Sequence, residues 1–516
     1  MTIFARLRGL KLSVPLLIAS VFVCGMTAYA LFFDDPYVVL FMAPFFLLGC
    51  ARGRHPLVLL ALSTIPAIVV LLISTAKTLA TGFSLVTYDG LFLRQNLLLL
   101  AYNDWRVASV LIFLIFGFVF YVRSLLAGRG RVTRAERRLV GFLSLTSIGC
   151  IFAVQQWDGD ILDWQYELSH PSIRALVKSV RLPELRLAVP AKSSEMPRFE
   201  NLSIAAPEAA IPDLFFILQE STFHPRLVEA GYEPINLYSS QADHSGNLHV
   251  HTYGGGTWMT EFAFLTQISP NAFGNGGHYV FHQLAGHIKR SVFTLLKEQG
   301  YRTIVIYPVD GNFINAKRFY TSIGVDEFYD PESLNLGKGW QWQIPDKDLY
   351  GAIQNKLEES DRPTAVMMLT INQHGPHDTL DPVKDYLGRF EQSDAAYGEF
   401  LNYLSSRDKR SGVVAFGDHH PFFTSTLMEN ESLKYLTAYD IRCVNFSCAD
   451  KPFSKNDRKN LDVTFLAPFA LKQFGFRLDD LSIAQQNLLG VCDGDISECE
   501  EKDRLAFNGV FSHFVQ

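Results

Sequence analysis

Apolar residues are distributed along this 516-residue chain in two different ways. Up to about residue 157 they form long blocks, roughly 13–33, 36–51, 56–76, 107–127 and 139–157. From about residue 212 they form short runs separated by amphipathic stretches. The long blocks approach the roughly 20 residues that a helix needs to cross a bilayer core. Five membrane spans are therefore expected, the second being the shortest and carrying Pro44. A cleaved leader behind Arg6, Arg8 and Lys11 accounts for the first block but not for the four that follow. The short runs Leu214–Gln219, Thr303–Tyr307, Ala365–Ile371 and Val413–Phe416 are rich in β-branched and aromatic residues and read as strands. Val292–Gln299, Gln392–Ser405 and Val463–Phe474 read as helices. This alternation predicts an α/β domain with a mostly parallel sheet covered on both faces.

The expected organisation is a five-helix transmembrane domain over 1–157, an interfacial helix and linker over 158–211, and an extracytoplasmic α/β domain over 212–516. In the connector, Ile161 to Leu182 mixes Trp164, Tyr166 and Leu168 with charges, the composition of an interfacial helix. Pro183, Pro190, Pro197 and Pro207 then mark extended linker. The stretch 78–105 reads either as a segment lying along the outer membrane surface or as an ordinary loop with a short helix.

The formal net charge of −6 hides an uneven placement of basic residues. Arg6, Arg8 and Lys11 precede the first block, and Arg52 and Arg54 separate the second and third. Arg123, Arg129, Arg131, Arg134, Arg137 and Arg138 lie around the fourth connection. The alternate connections carry Asp34 and Asp35, or a mixed set of charges. The positive-inside rule then puts the N-terminus in the cytoplasm. With five spans, everything after Trp157 is outside it.

Cysteine placement bears on the same question. Cys24, Cys50 and Cys150 fall inside apolar blocks, whereas Cys443, Cys448, Cys492 and Cys499 form two close pairs in the later region. Close even pairs fit disulfides in an oxidising compartment, with Cys443–Cys448 and Cys492–Cys499 as the bridges. A four-thiolate zinc site is the rival reading, although neither spacing is the usual two-residue knuckle.

In a parallel α/β sheet the working residues collect beyond the carboxyl ends of the strands. Here Glu220 follows the first strand, Asp310 to Arg318 the second, Asn372 to His377 the third, and Asp418-His419-His420 the fourth. Glu220 taken alone is better explained as a helix-capping carboxylate. Gly254-Gly255-Gly256-Thr257 is either a plain turn with Thr257 as N-cap of a helix Trp258–Ile268, or a phosphate cradle at that helix start. His374 and His377 read as site residues; His244, His249 and His251 read as incidental. Two carboxylates, an imidazole and a hydroxyl are the set with which one divalent cation activates a threonine.

Leu218-Gln219-Glu220-Ser221, then Gly255-Gly256-Thr257-Trp258-Met259-Thr260-Glu261-Phe262, then Gly417-Asp418-His419 resemble the membrane-anchored branch of the alkaline-phosphatase/sulfatase superfamily. Within that branch the chain resembles the lipoteichoic acid synthase-like phosphoglycerol transferases, with the phosphoethanolamine transferases as cousins. Gly300 to Thr303 and Gly324 to Asp330 are similar to that family's middle block. The resemblance implies that Glu220, Thr257, Asp418 and His419 ligate one divalent cation, manganese or alternatively zinc. It makes Thr257 the nucleophile and places His374 on the phosphate or headgroup. Where the relatives bind glycerol phosphate with a tryptophan and an arginine this chain has Asn312 to Arg318, with no tryptophan and with Lys317 and Arg318 slightly displaced, a departure that leaves the headgroup open. Trp258, His377 and His420 complete the expected substrate contacts. The Cys/Ser-x-Pro-x-Arg signature for formylglycine is absent, which argues against sulfate-ester cleavage.

The expected activity is transfer of phosphoglycerol from phosphatidylglycerol to a periplasmic or surface glycan through a phospho-threonine intermediate. The alternatives are transfer of phosphoethanolamine to lipid A or glycan, hydrolysis as a phosphodiesterase, and a non-catalytic membrane sensor. The expected partners are a phospholipid donor in the membrane and a glycan or lipid A acceptor, with no nucleic acid. The expected location is a bacterial inner membrane, multi-pass, with the catalytic domain in the periplasm.

Overall fold

The computed structural model describes the helix Pro56–Thr81, a few single residues up to 176, and residues 199–515 apart from 208–210, 224–241, 338–343, 360, 376, 378–379, 422, 425–430, 451–459 and 493. The chain divides into two compact units, Met1–Leu182 and Pro183–Gln516. In the first, α1 (Pro56–Thr81) is a helix of 26 residues over the third expected span. Its side chains are described only from Ser63 to Thr75. Among the described residues no helix is long and apolar enough to cross a membrane. Apart from Tyr37, Val38, Met42, Leu85, Ile173, Leu176 and the last residues of α1, the other four expected spans, the interfacial helix and the 78–105 segment lie outside the described residues.

The second unit is a mixed α/β domain. Among the described residues it has eight strands, β1 (Asp213–Gln219), β2 (His244–His249), β3 (Arg302–Ile306), β4 (Glu327–Tyr329), β5 (Thr364–Leu369), β6 (Ser411–Gly417), β7 (Leu436–Val444) and β8 (Leu461–Asp462). They form one sheet in the order β4-β3-β5-β1-β6-β7-β2-β8. Among the described strands only β7 runs against its neighbours, β6 and β2, so the sheet is mostly parallel. The strands read from sequence are β1, β3, β5 and β6, adjacent in the middle of the sheet and buried along their whole length. Burial on both faces makes such strands near-continuous apolar runs. β2 (His-Ser-Gly-Asn-Leu-His) has no such run and takes its place by pairing with β7.

Helices cover both faces. These are α2 (Thr257–Thr266), α3 (Val280–Leu284), α4 (Val292–Glu298), α5 (Ala316–Ser322), α6 (Asp346–Glu358), α7 (Pro382–Ser406), α8 (Val463–Gln473), α9 (Asp480–Val491) and α10 (Glu501–Phe511). On one face Phe215 and Ile217 of β1 share a core with Leu349 and Ile353 of α6 and with Tyr397 and Phe400 of α7. On the other, Phe264 of α2 packs its ring 5.3 Å from Phe216 and 4.6 Å from Phe416. Burying a phenylalanine this way contributes about 1.5–3 kcal/mol. It also fixes α2 across β1 and β6, with its first residue beside their carboxyl ends. α7 starts at Pro382, ten residues before the expected start at Gln392, because Asp381 caps it through the Lys384 amide at 3.1 Å.

Candidate active site

β1 and β6 are paired so that Gln219 stands opposite Gly417. The next residue on each strand is a carboxylate, and neighbouring strands are about 4.8 Å apart, so Glu220 and Asp418 are side by side. Gly417 permits this approach, because a Cβ there would lie 1.7 Å from the Thr222 carbonyl oxygen. Past Glu220 the chain turns through Ser221 at φ 51, in the left-handed region. The Ser221 amide donates to Asp418 Oδ1 at 2.7 Å, and the His419 amide donates to the same oxygen at 2.8 Å. Asp418 Oδ2 is left buried without a hydrogen-bond partner, 3.2 Å from His419 Nε2.

The fourth group comes from the glycine turn. Gly254, Gly255 and Gly256 have φ of 71°, 152° and 84°, and Gly256 in left-handed conformation is the N-cap of α2. Thr257 is therefore the first helical residue, not the cap, and its hydroxyl is free of capping duty. It points at Glu220 Oε2 and at His419 Nε2, each 3.3 Å away. His419 Nδ1 lies 2.9 Å from the His420 carbonyl oxygen, which only accepts, so Nδ1 carries the proton and Nε2 turns a lone pair inward.

Several acceptors thus face one another with few hydrogens between them. One metal-competent atom from each of Glu220, Asp418 and His419 lies within 4.8 Å of the others. Burial, and next the charge of Asp418, raise the Glu220 pKa to about 8. Two adjacent buried carboxylates are unfavourable without a counter-charge. The orphaned Asp418 oxygen and this donor set, two carboxylates, an imidazole and a hydroxyl, fit a divalent cation of the zinc or manganese type.

The remaining candidates are placed around this cluster or away from it. His374, in the turn after β5, holds its Nδ1 2.6 Å from the Gly375 carbonyl, and its own carbonyl accepts from Arg389 at 2.8 Å. Burial lowers its pKa, opposed in part by the charge of Asp418. His377 sits 3.6 Å from Asp385, edge-on to Phe423, with its pKa pushed down to about 4 by burial and by Arg389. His420 does not present its imidazole to the cluster: Nε2 donates to the Leu436 carbonyl at 2.7 Å, and the ring stacks on Phe223. An imidazole one residue beyond His419 leaves the strand end on its other side, and burial takes its pKa to about 4. Trp258 donates its indole N–H to the His278 carbonyl at 2.7 Å. Its ring lies 6.4 Å from Phe313. Phe313 belongs to the segment that carries exposed Asn312, Lys317 and Arg318. Asn312 is turned onto Asp310 Oδ1 through both its amides.

Supporting residues went unassigned in the sequence. Ser221 Oγ donates to Glu220 Oε1 at 2.8 Å, and Thr370 Oγ1 accepts from the Glu220 amide at 2.9 Å. Thr260 Oγ1 donates to the Asp418 carbonyl at 2.7 Å. Thr260 and Glu261 follow Thr257 by three and four residues, the spacing that shares a helix face, and that periodicity is the signal by which the sequence could have revealed them. His249 and His251 pair with Asp495 at 2.9 Å and Asp462 at 3.0 Å, outside the cluster. The cysteines form two disulfides, Cys443–Cys448 and Cys492–Cys499.

Residues 212–442 match the model of the Sulfatase family. A Haemophilus influenzae protein described as uncharacterized is 25% identical over 341 residues, covering 59% of this chain and 60% of its own. A putative cyclic beta-1,2-glucan modification protein of Rhizobium meliloti is 24% identical over 246 residues, covering 44% of this chain and 38% of its own. The chain thus spans less than two thirds of the length of either relative. Among solved structures, the Streptococcus pyogenes phosphoglycerol transferase GacH in complex with sn-glycerol-1-phosphate aligns at 17% identity with a TM-score of 0.47, covering 58% of this chain and 85% of that one.

Proposed function

We propose, from the premise that residues 212–442 are a sulfatase-family domain of the alkaline phosphatase superfamily, that the chain is a metal-dependent transferase moving the phosphoglycerol headgroup of a phospholipid onto a glycan. The observation that carries this reading is the convergence of Glu220, Asp418, His419 and the Thr257 hydroxyl on one point with an unpartnered carboxylate oxygen among them. Glu220, Asp418, His419 and Thr257 would hold the cation. When bound, a manganese or zinc ion supplies the positive charge that favours an alkoxide over a hydroxyl and stabilises charge on phosphoryl oxygens.

The chain's own residues do the rest. Thr257 Oγ1 loses its proton and attacks the donor phosphorus in line, the P–O bond to diacylglycerol breaks, the leaving oxygen takes up a proton to depart as diacylglycerol, and a phosphodiester remains on Thr257. An acceptor hydroxyl then attacks the same phosphorus, and the Thr257 oxygen leaves. His374, kept neutral by burial and set on the strand end beside β1, takes the proton of the incoming hydroxyl. Water in that position makes the same site a phosphodiesterase. Exposed Lys317 and Arg318 favour a neutral polyol headgroup over the cationic ammonium of ethanolamine, which like charges repel. The glycan acceptor is supported by the relative named for cyclic glucan modification. The span-length apolar blocks of the first unit and the two disulfides support a membrane-anchored, extracytoplasmic domain.

The test is incubation of the full chain with manganese and labelled phosphatidylglycerol or phosphatidylethanolamine, followed by mass spectrometry of the peptide containing Thr257. The expected result is diacylglycerol release and a glycerophosphate adduct on Thr257, both lost in Thr257→Ala. An ethanolamine-phosphate adduct makes the phosphoethanolamine transferase reading the correct one. No adduct and no diacylglycerol from either lipid refutes headgroup transfer.

A further inference from the structure

Glu261 stands one turn beyond Thr257 on the same side of α2 and is fully buried. It lies outside the cation cluster, and its Oε1 has no hydrogen-bond partner. A carboxyl group in such a place is costly unless something holds it. The Tyr320 hydroxyl does so, donating to Glu261 Oε2 from an equally buried ring. Tyr320 belongs to α5, whose exposed first turn carries Lys317 and Arg318.

The same interface has an apolar part. Phe262 of α2 lies 5.9 Å from Phe319 of α5, and Phe319 stacks at 3.9 Å on Phe281 of α3. Stacked rings resist separation but slide easily, whereas a hydroxyl-to-carboxyl hydrogen bond fixes direction. The chain enters α5 through Ile314 and Asn315, which follow one another at φ 47 and 67, in the left-handed region that side-chain-bearing residues seldom adopt. Backbone of this kind persists where its surroundings over-determine it. Asn315 Nδ2 donates to the Phe281 carbonyl at 3.5 Å and Ser322 Oγ accepts from the Gly286 amide at 2.9 Å. The Glu261–Tyr320 bond is the polar element that comes from α2, and it joins the helix of the proposed nucleophile to the segment of the proposed headgroup cations.

We infer that Glu261 and Tyr320 are positioning residues that lock α5 onto α2, so that Lys317 and Arg318 meet the anionic phosphodiester of the donor beside Thr257. This rests on the transferase reading for its substrate, but the lock itself is a property of the fold. Neither residue touches the reacting atoms. Loss of the lock therefore weakens donor binding more than it slows the chemical step.

Tyr320→Phe removes the donor, and Glu261→Gln keeps an acceptor for Tyr320. With labelled phosphatidylglycerol in mixed micelles, Tyr320→Phe should raise KM about tenfold, with kcat within about twofold of wild type. Glu261→Gln should stay within about threefold in KM. The Lys317→Ala/Arg318→Ala pair should raise KM comparably, and adding Tyr320→Phe to it should raise KM little further, because coupled residues are non-additive. Manganese affinity by calorimetry should match wild type in every variant. Unchanged KM in folded Tyr320→Phe, or an independent effect on top of the double substitution, overturns the inference. Native trypsin cleavage after Lys317 and Arg318 gives a readout that needs no activity. It should accelerate at least about fivefold in Tyr320→Phe and stay near wild type in Glu261→Gln; equal rates in wild type and Tyr320→Phe refute the lock. A wild-type protein that binds manganese and shows the accelerated cleavage on Tyr320→Phe, yet transfers no headgroup, refutes the transferase reading alone.

Discussion

The amide of Gly254 donates to the carbonyl oxygen of His420 at 3.0 Å, and that bond ties the turn carrying Thr257 to the strand end carrying Asp418 and His419. The same oxygen accepts from His419 Nδ1 at 2.9 Å. One carbonyl thus orients the imidazole and anchors the glycine turn. This is the relation that a metal-ligating histidine needs from its other ring nitrogen. It explains why position 420 belongs to the site through its backbone while its imidazole is packed elsewhere.

Substitutions at 419 and 420 should therefore separate. His419→Ala removes an inward lone pair and should lower manganese affinity at least about tenfold and abolish turnover. His420→Phe keeps the carbonyl and the stacking on Phe223 but loses the bond to Leu436. It should cost about 1–2 kcal/mol in urea unfolding, with manganese affinity within about threefold of wild type. Calorimetry and denaturation on the two variants check this; a loss of metal in His420→Phe equal to that in His419→Ala would contradict it.

Gly417→Ala is expected to be among the most damaging single substitutions in the domain. Its added methyl would be built 1.7 Å from the Thr222 carbonyl oxygen, which is backbone and cannot rotate away. The strand end must shift, at a cost of about 3 kcal/mol or more, and Asp418 shifts with it. A melting temperature and manganese affinity equal to wild type would show that the β1 exit yields more easily than its contacts imply.

Asp346 gives a prediction in pH. It is fully buried, accepts from the Ile371 amide at 2.7 Å and from Ser393 Oγ at 2.6 Å, and so holds the end of β5 that leads to His374. Burial raises its pKa from 3.8 to about 6, against the pull of Ser393 and the two backbone amides. The folded state then binds more protons than the unfolded one between those values, so stability falls as pH rises through that window. The contribution is on the order of 1–3 kcal/mol. Asp346→Asn, which cannot ionise, should flatten the slope of unfolding free energy between about pH 4 and pH 6. An unchanged slope in urea titrations across that range would assign the pH dependence to other groups.

The two disulfides should differ in their reach. Asp495 lies inside the loop closed by Cys492–Cys499 and pairs with His249 of β2 at 2.9 Å, upstream of the glycine turn. Breaking that bridge as Cys492→Ser/Cys499→Ser should cost about 2–4 kcal/mol and also lower turnover. Breaking Cys443–Cys448, which joins β7 to the turn after it, should cost stability with little effect on turnover. Parallel melts and assays decide it, and equal turnover in the two double variants would show that the 492–499 loop does not support the site.

What the sequence determined by itself is the central sheet and the identity of the residues at its working edge. β1, β3, β5 and β6 are near-continuous apolar runs because burial on both faces leaves few polar positions, mostly at the strand ends, and Glu220, Asp418, His419 and the glycine turn before Thr257 stand out against them. Tertiary structure alone decided the rest. β2, with its polar residues, and the two-residue β8 are strands only through their pairing, and the reversed direction of β7 against β6 and β2 is not written in its composition. The inward turn of His419, the outward turn of His420 and the Glu261–Tyr320 bond each join residues far apart in the chain or set ring orientations. Local periodicity reports which face of an element is apolar, but the partner met there is chosen only when distant strands and helices come together.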